Sequence, residues 1–578
     1  STGDFIYSLP VVVTASLVAS RIVSMTFMPL LGYYILRGQK GLEAGLEGSG
    51  GGSRFAKVYN SFTVWCLDHK AISMAVCLAI LAGCCSVFPF IGTAFFPKDL
   101  HSVFTVNVFL PEGTPLKVTA EEAERVVERI DALEGRQVTS YTLFVGAGGP
   151  RFWLSVNPEP DAEGYAQILV HTVDKKSTSA IVARLKASLP QECAGARVTI
   201  EELETGPPIG VPVQVRIYGP EIEPLRRLAG QLKAEMKEVP GTTNIHDDWD
   251  PEVLQMSLRI DTDRANLTGI TNDDVAAIVS TGLSGYTATY LREEDRQIPV
   301  RLRLRGDERS QLSDLYNLSA VSSMTNLRVP LRQIARFEPE LVSPKVLRRD
   351  YQRCITVKCD AVPGTLPSAV VEQLAERLPR MIWPPGYRYE FAGEHEEQQK
   401  GFASVLVALI VSILGIYLAL VLQFNSVTKP LVVFGAVPFG LAGGLMGLPL
   451  FGAPFGFMAF LGVASLGGVI VSHIIVLFDY IEDMHERGEE LHRAVIDACL
   501  VRLRPVLVTV LATVGGLIPL ALKGGPLWEP MCYVQIFGLL VATLVTKVVV
   551  PVMFVAFVEK LGLIEWSHAP AERRAPEA

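Results

Sequence analysis

Long charge-free stretches near both ends limit what this chain can become. A helix needs roughly 20 apolar residues to cross the hydrocarbon of a bilayer, where every backbone polar group must be satisfied internally. About seven stretches qualify: Phe5 to Leu36, Ala71 to Ile91, Phe402 to Leu422, Leu431 to Phe451, Phe455 to Asp479, Val506 to Leu522 and Tyr533 to Val558. The first is long because Pro10 and Pro29 bracket its continuous core. Between the second and third, from about Pro97 to Lys400, charge returns and strand-like alternation mixes with helical periodicity. The 578 residues are 49% hydrophobic yet 19% charged, and the two properties are separated along the chain. The pattern is that of an α+β polytopic membrane protein with one large aqueous domain.

The net charge of -8 and the lack of a Lys/Arg cluster leave no footprint for nucleic acid. No P-loop, G-x-S-x-G or H-E-x-x-H is present, which argues against a hydrolase. Of the nine cysteines, Cys66, Cys77, Cys84, Cys85, Cys499 and Cys532 lie in or beside apolar stretches and suit buried hydrophobes. Cys354 and Cys359, five apart on a strand, point to opposite faces and cannot bridge. The chain starts at Ser1, without Met or signal peptide, and reads as a piece of something longer.

Orientation follows from the short basic loops. Arg37, Lys40, Arg54, Lys57 and Lys70 lie between the first two spans, and Arg487, Arg493, Arg502 and Arg504 lie at the sixth. Both segments are expected in the cytoplasm. The large domain is then outside, and the tail from Leu561 inside. Within the 37–70 link, Gly41 to Ser53 reads as a flexible tether. Phe55, Val58, Tyr59, Phe62 and Trp65 then recur at helical spacing. They suggest an amphipathic helix along the inner face; the alternative is the start of the next span. Ala569 to Ala578 is expected to be disordered.

In the aqueous domain, strands at Val103 to Leu110, Val138 to Val145, Gln167 to Thr172 and Arg197 to Glu201 interleave with helices at Lys117 to Leu133 and Thr178 to Leu189. This predicts a split βαβ subdomain over 94–203. Two later segments echo each other: strand, helix, Pro240-Gly241 and strand, then strand, helix, Pro385-Gly386 and strand. One such unit cannot bury its sheet alone, so 204–250 and 343–398 are expected to unite, with 251–342 inserted as a third subdomain. The five-helix bundle then occupies 399–560.

Four motifs in order carry a resemblance. They are Thr205-Gly-Pro-Pro-Ile-Gly-Val-Pro-Val-Gln214, Asp261-Thr-Asp-Arg-Ala-Asn-Leu-Thr-Gly269, Ser465-Leu-Gly-Gly-Val-Ile-Val-Ser-His-Ile-Ile-Val-Leu-Phe-Asp-Tyr480 and Val501-Arg-Leu-Arg-Pro-Val-Leu-Val-Thr509. With the seven-span layout, the chain resembles the C-terminal half of a resistance-nodulation-division (RND) efflux permease of the acriflavine-resistance type, starting at the sixth of twelve helices. The resemblance implies two ferredoxin-like porter subdomains around a substrate cleft and an inserted docking subdomain. It also implies a homotrimer in a bacterial inner membrane, joined to a periplasmic adaptor and an outer-membrane channel. The Gly146-Ala-Gly-Gly-Pro-Arg151 run, with Gly146, Gly148 and Gly149, followed by Phe152 and Trp153, falls where such pumps carry a switch loop beside the drug pocket. The alternative is a hairpin loop with two core aromatics.

Ionisable residues in hydrocarbon are costly and demand a partner or a function. Four stand out: Arg21, His473, Asp479 and Lys547. Asp479 closes its span, and Lys547 is expected to snorkel toward the cytoplasm. His473 lies five apolar residues inside Asp479, about 9 Å from the boundary, and imidazole changes charge near neutral pH. In RND pumps this helix presents a lysine or asparagines to a carboxylate pair on the fourth helix. Here the matching positions are Ser472 and His473, and the lysine is missing. Thr509 and Arg502 match the relay threonine and the arginine near the inner mouth that the resemblance implies, and His473, at the matching positions with Ser472, is read with Arg21 from the first span as the partner of those carboxylates in a proton relay. The alternatives are a neutral His473 bonded to a backbone carbonyl, a Thr509 bonded to its own helix and an Arg502 that is a positive-inside anchor. Gly440, Gly443, Gly444 and Gly447 form small-xxx-small steps for helix packing.

No span holds two buried carboxylates, so the proton-binding pair is expected from the missing N-terminal half. The reading is a proton antiporter for small apolar or amphiphilic compounds that does not transport as this half alone. No cofactor is implied. Heavy-metal efflux is the alternative, although Met-rich spacing is lacking in the cleft. A protein-export or lipid-transporting relative also stays open.

Overall fold

The computed structural model describes residues 7–36, 54–560 and 562–564, except 99, 194, 207, 208, 310, 311 and 363. The tether Gly41 to Ser53 and the tail Ala569 to Ala578 lie outside the described residues. All seven apolar stretches are helical, and each helix is long and apolar enough to cross a membrane. They are α1 (Ser8–Leu36), α3 (Lys70–Ser86), α9 (Glu394–Phe424), α10 (Lys429–Leu450), α11 (Phe457–Glu486), α12 (Leu491–Lys523) and α13 (Glu529–Glu559). A shorter helix, α2 (Arg54–Asp68), precedes α3. It is a separate helix packed on α12 and α13, broken from α3 at His69.

The bundle is organised around α13, more than half of whose apolar window is buried. Small residues allow this. A Cβ on Gly444 of α10 would meet the Val534 carbonyl of α13 at 2.8 Å, and one on Gly447 would meet the Tyr533 carbonyl at 2.8 Å. The backbones of the two helices thus touch through glycine, as small-xxx-small spacing demands. Asn425 in the left-handed region (φ 43°) ends α9, and Pro430 opens α10. By contrast, α1 buries none of its apolar window among the described residues.

Two antiparallel sheets lie between α3 and α9 in sequence. The first has the order β2-β3-β1-β4, from β1 (Val103–Phe109), β2 (Val138–Val145), β3 (Tyr165–Thr172) and β4 (Arg197–Glu202). Its apolar face, with Phe104, Val106, Ile168, Val170, Val198 and Ile200, packs on α4 (Leu116–Glu134) and α5 (Thr178–Glu192). Strand alternation puts Thr105, Asn107, Gln167 and Thr199 on the opposite face, where they are nonetheless buried. The second sheet joins β5 (Val213–Gly219) and β6 (Thr242–Asp247) to β13 (Arg348–Arg349), β14 (Gln352–Ala361) and β15 (Arg388–Gly393). The distant halves meet in register, Ile217 opposite Ile355 and Val215 opposite Val357. Helices α6 (Ile222–Lys237) and α8 (Pro367–Arg377) accompany this sheet.

The segment Trp249–Val346 is a compact unit of its own. It pairs β7 (Val253–Ile260) with β12 (Ala335–Val342) and β10 (Ser319–Val321) with β11 (Arg328–Pro330). Between them lie α7 (Asn272–Leu283) and the hairpin of β8 (Tyr286–Glu293) and β9 (Arg296–Leu302). A capping box of Thr271 and Asp274 starts α7.

The second sheet enters the bundle without a loop, because β15 ends at Gly393 and α9 starts at Glu394. Gly393 has φ +68°, and a Cβ there would crowd the Pro212 carbonyl at 2.5 Å, so glycine is required. One turn into α9, Glu396 accepts from Arg216 of β5 at 2.6 Å, Arg349 of β13 at 3.5 Å and Lys400 at 2.5 Å. Phe95, Phe96, Phe457 and Met458 pack together beneath this junction.

Because a Cβ at position 444 must push against backbone, Gly444→Leu is expected to force α10 and α13 apart. The cost is about 1–3 kcal/mol or more, in the range of overpacked cores. Thermal melting of the purified protein in detergent checks this, and Gly452→Ala, with nothing near its Cβ but φ +65°, is the control for backbone strain alone.

Candidate functional site

The residues that matter most face one another between α11 and α13. On α11, Ile470, His473, Ile474 and Leu477 fall on one stripe; on α13, Thr543, Thr546, Lys547 and Val550 do the same. With Val506 of α12 and Ala542 they line a cavity of 20 Å³, about the volume at which one water molecule fits. His473 and Lys547 therefore line one small, largely apolar cavity in the bundle.

Lys547 does not snorkel, contrary to the sequence expectation. It is 9% exposed and lies twelve residues, about 18 Å, from the end of α13, further than its stem can reach. It lines the cavity together with His473. The Tyr59 hydroxyl of α2 donates to the Lys547 carbonyl at 3.5 Å. Cys499 of α12, fully buried, is close enough to interact electrostatically with Lys547 and to hydrogen-bond Tyr59.

The other relay candidates are placed apart from this pair. Ser472 is exposed and bonds its own helix at Val469 O (2.8 Å). Thr509 likewise bonds Val506 O (2.9 Å), so neither hydroxyl enters the cavity. Arg502 lies over the Tyr480 ring at 5.4 Å and near the Asp479 carboxylate, with its Nε buried and without a hydrogen-bond partner among the described residues. It therefore ties α12 to α11 near Asp479. Arg21 is exposed on α1 and does not reach His473.

The glycine-rich loop follows β2. Gly146 needs its left-handed backbone (φ +81°), whereas Gly148 and Gly149 are needed for close approach: added Cβ atoms would meet Glu159 N at 3.0 Å and the Phe144 ring at 2.8 Å. A buried network fixes the base of the loop. Gly149 N–H donates to Gln167 Oε1 (2.9 Å), Gln167 Nε2 to Asn107 Oδ1 (3.0 Å), and Tyr165 OH to the same Asn107 oxygen (2.9 Å). Trp153 is stapled too, its Nε1–H on the Glu204 carbonyl (2.9 Å) and its ring 4.3 Å from that of His101. Phe152, 38% exposed, is the aromatic turned outward.

Glu204 is a titratable group that the sequence reading passed over. Burial first, then the neighbouring Glu394 and Glu201 carboxylates, push its pKa up to about 7, against opposing Lys98 and Lys186.

Sheets of this topology set between the second and third of seven apolar helices place the chain in the fold of RND permeases. A solved heavy metal efflux pump superposes with TM-score 0.71 at 24% identity, over 86% of this chain and 51% of that one. The chain belongs to the AcrB/AcrD/AcrF family, whose profile matches residues 1–558. Relatives include the cobalt-zinc-cadmium resistance protein CzcA of Cupriavidus metallidurans, 24% identical over 96% of this chain and 53% of CzcA. Another is the multidrug resistance protein MdtC of Salmonella arizonae, 22% identical over 96% of this chain and 54% of MdtC. The chain spans about half the length of these relatives.

The raised carboxyl of Glu204 gives a signed expectation. Its proton is held more tightly in the fold than in the unfolded chain, whose value is near 4.5. The stabilising contribution is complete below that value and is lost as pH rises through about 7. Glu204→Gln is expected to melt with the wild type near pH 5 and a few degrees above it at pH 8. Melting curves across that interval test this.

Proposed function

We propose that the chain is the C-terminal half of a proton-motive-force-driven efflux permease. It sits in a bacterial inner membrane with both sheets and the inserted unit in the periplasm. The observation that carries this reading is the convergence of His473 and Lys547 on one intramembrane cavity, in a chain of RND family and fold. A buried ionisable pair in hydrocarbon marks an ion or proton pathway. Imidazole takes up and releases a proton near neutral pH, while a lysine ammonium supplies a fixed charge.

In this reading the rest of the pump brings carboxylates to the cavity. Protonated, they release the Lys547 ammonium and the imidazole; deprotonated, they pair with them. The alternation moves α11 and α13 relative to the helices that carry the carboxylates. That movement reaches the periplasm through α9 and the second sheet, to which Glu396 fastens it. Arg21, on a helix unburied in this half, serves the interface with the rest of the pump, while Ser472, Thr509 and Arg502 act outside the cavity, at the helix seams.

In the periplasm, the two sheets act as porter subdomains, with Phe152 and the Gly146 to Trp153 loop at the substrate path, and Trp249–Val346 is the docking subdomain. The working pump is a homotrimer joined to a periplasmic adaptor and an outer-membrane channel. Its cargo is a small hydrophobic or amphiphilic compound, taken up from the periplasm or the inner leaflet. Export of a divalent metal ion is the second reading, favoured by the likeness to CzcA and to the heavy metal pump.

The test is transport by the complete pump in proteoliposomes under an imposed proton gradient, with ethidium and zinc(II) as separate probes. His473→Ala is expected to slow gradient-driven transport about tenfold or more, as loss of a proton-transfer group does, with probe binding unchanged. Lys547→Met, which keeps the volume and removes the charge, is expected to do the same. Undiminished coupling in both variants would sink the relay, and the probe that moves decides the cargo.

A further inference from the structure

The face of the first sheet turned away from its helices is polar, and along β4 it becomes acidic. The side chains of β4 alternate: Val198 and Ile200 enter the helix core, while Arg197, Thr199 and Glu201 point the other way. Thr199 is 6% exposed, and its hydroxyl has no hydrogen-bond partner among the described residues. An orphan of this kind is uncommon for a buried polar atom. Two residues on, Glu201 is open to solvent yet deeply surrounded by protein, the position of a cleft wall.

The charges around Glu201 are mostly of its own sign. Burial first, then Asp360 of β14 and Glu159 of the loop after β2, push its carboxyl up to about 7. Half-buried Glu204 is repelled by both Glu201 and Glu394. Against these five carboxylates stand Lys98, Lys186 and Lys358, and Lys98 is already paired with Glu202 at 3.2 Å. The side chains of Glu201 and Glu204 have no ion pair or hydrogen bond among the described residues. The fold thus holds negative charge that it does not itself neutralise. Aromatic rings stand at the same place. Glu204 accepts the Trp153 Nε1–H on its carbonyl at 2.9 Å and donates its own N–H to Ser155 Oγ at 3.3 Å, so the loop is fastened beside the acid. At the other end of β4, the Arg197 guanidinium lies over the Phe109 ring at 4.0 Å, a cation on a ring of this same face.

We infer that this cleft selects organic cations: an aromatic or apolar cargo whose positive charge sits at Glu201 and Glu204 beside Trp153, with Thr199 Oγ1 accepting an N–H of the charged group. This rests on the reading of the Gly146 to Trp153 loop as the substrate path, and it narrows the cargo of that reading to one sign of charge. Carboxylates and π-faces together are what a diffuse organic cation meets best. A metal ion needs ligands that converge on one point. Among the described residues, no three His, Cys, Asp or Glu side chains are grouped closely enough to hold one.

The test uses the complete pump with ethidium as the cation, N-phenyl-1-naphthylamine as a neutral aromatic probe and zinc(II) as the metal. In detergent, ethidium affinity read by fluorescence polarisation is expected to rise about tenfold between pH 6 and pH 8, as the two carboxyls ionise through about 7. Replacing both, Glu201→Gln with Glu204→Gln, is expected to flatten that profile and to weaken ethidium binding about tenfold at pH 8. Glu201→Asp with Glu204→Asp keeps both charges and is expected to recover most of the affinity. Thr199→Val, which keeps the volume, is expected to weaken ethidium binding without lowering the melting temperature. In proteoliposomes the ratio of ethidium to naphthylamine transport is expected to fall about tenfold in the double Gln variant. A flat wild-type pH profile overturns the inference, as does an unchanged ratio, or Asp variants as weak as the Gln variants. Movement of zinc(II) in place of ethidium overturns it too and leaves the efflux reading standing. A complete pump that moves none of the three probes under a proton gradient removes the efflux reading itself.

Discussion

The near-contact of α10 with α13 is the constraint on which the rest of the bundle depends. Glycines at 444 and 447 let the backbones meet, and this closeness surrounds α13 with protein. A lysine in its middle would otherwise face lipid. Enclosed, it lines the small cavity shared with His473. Tight packing on one side of a helix thus fixes the chemistry on the other.

How much of this was legible in the sequence varies with the signal available. The seven apolar runs and the strand-helix alternation were readable because length and periodicity report directly on burial. The repeat between 213–247 and 354–391 announced a shared sheet, and the register of Ile217 with Ile355 realises it. Lys547 was misread because α13 is apolar on every side, so periodicity assigns it no inner face, and distance along the chain was the only guide to depth. Arg21 suffers from the same symmetry on α1.

The glycine loop shows a second limit. Sequence alone cannot tell a glycine kept for a left-handed backbone from one kept for close approach. The structure assigns the first role to Gly146 and the second to Gly148 and Gly149. Mobility is then confined by the Gln167 and Asn107 network, and by Trp153 held on the Glu204 carbonyl. Glu204 itself left no trace in the sequence, because its shift comes from burial first and then from Glu394 and Glu201, which are brought together only by folding.

The junction at Gly393 and Glu394 has a mechanical meaning. A strand that passes into a helix with no intervening loop has no slack, and two sheet cations on Glu396, Arg216 and Arg349, limit the remaining freedom to twist. Rotation of α9 about its axis is therefore rotation of β15, and a shift along that axis is a shift of strand register. The second sheet pairs 213–247 with 348–393 on either side of an inserted unit, so a small turn of one helix is shared at once by chain segments that lie more than a hundred residues apart.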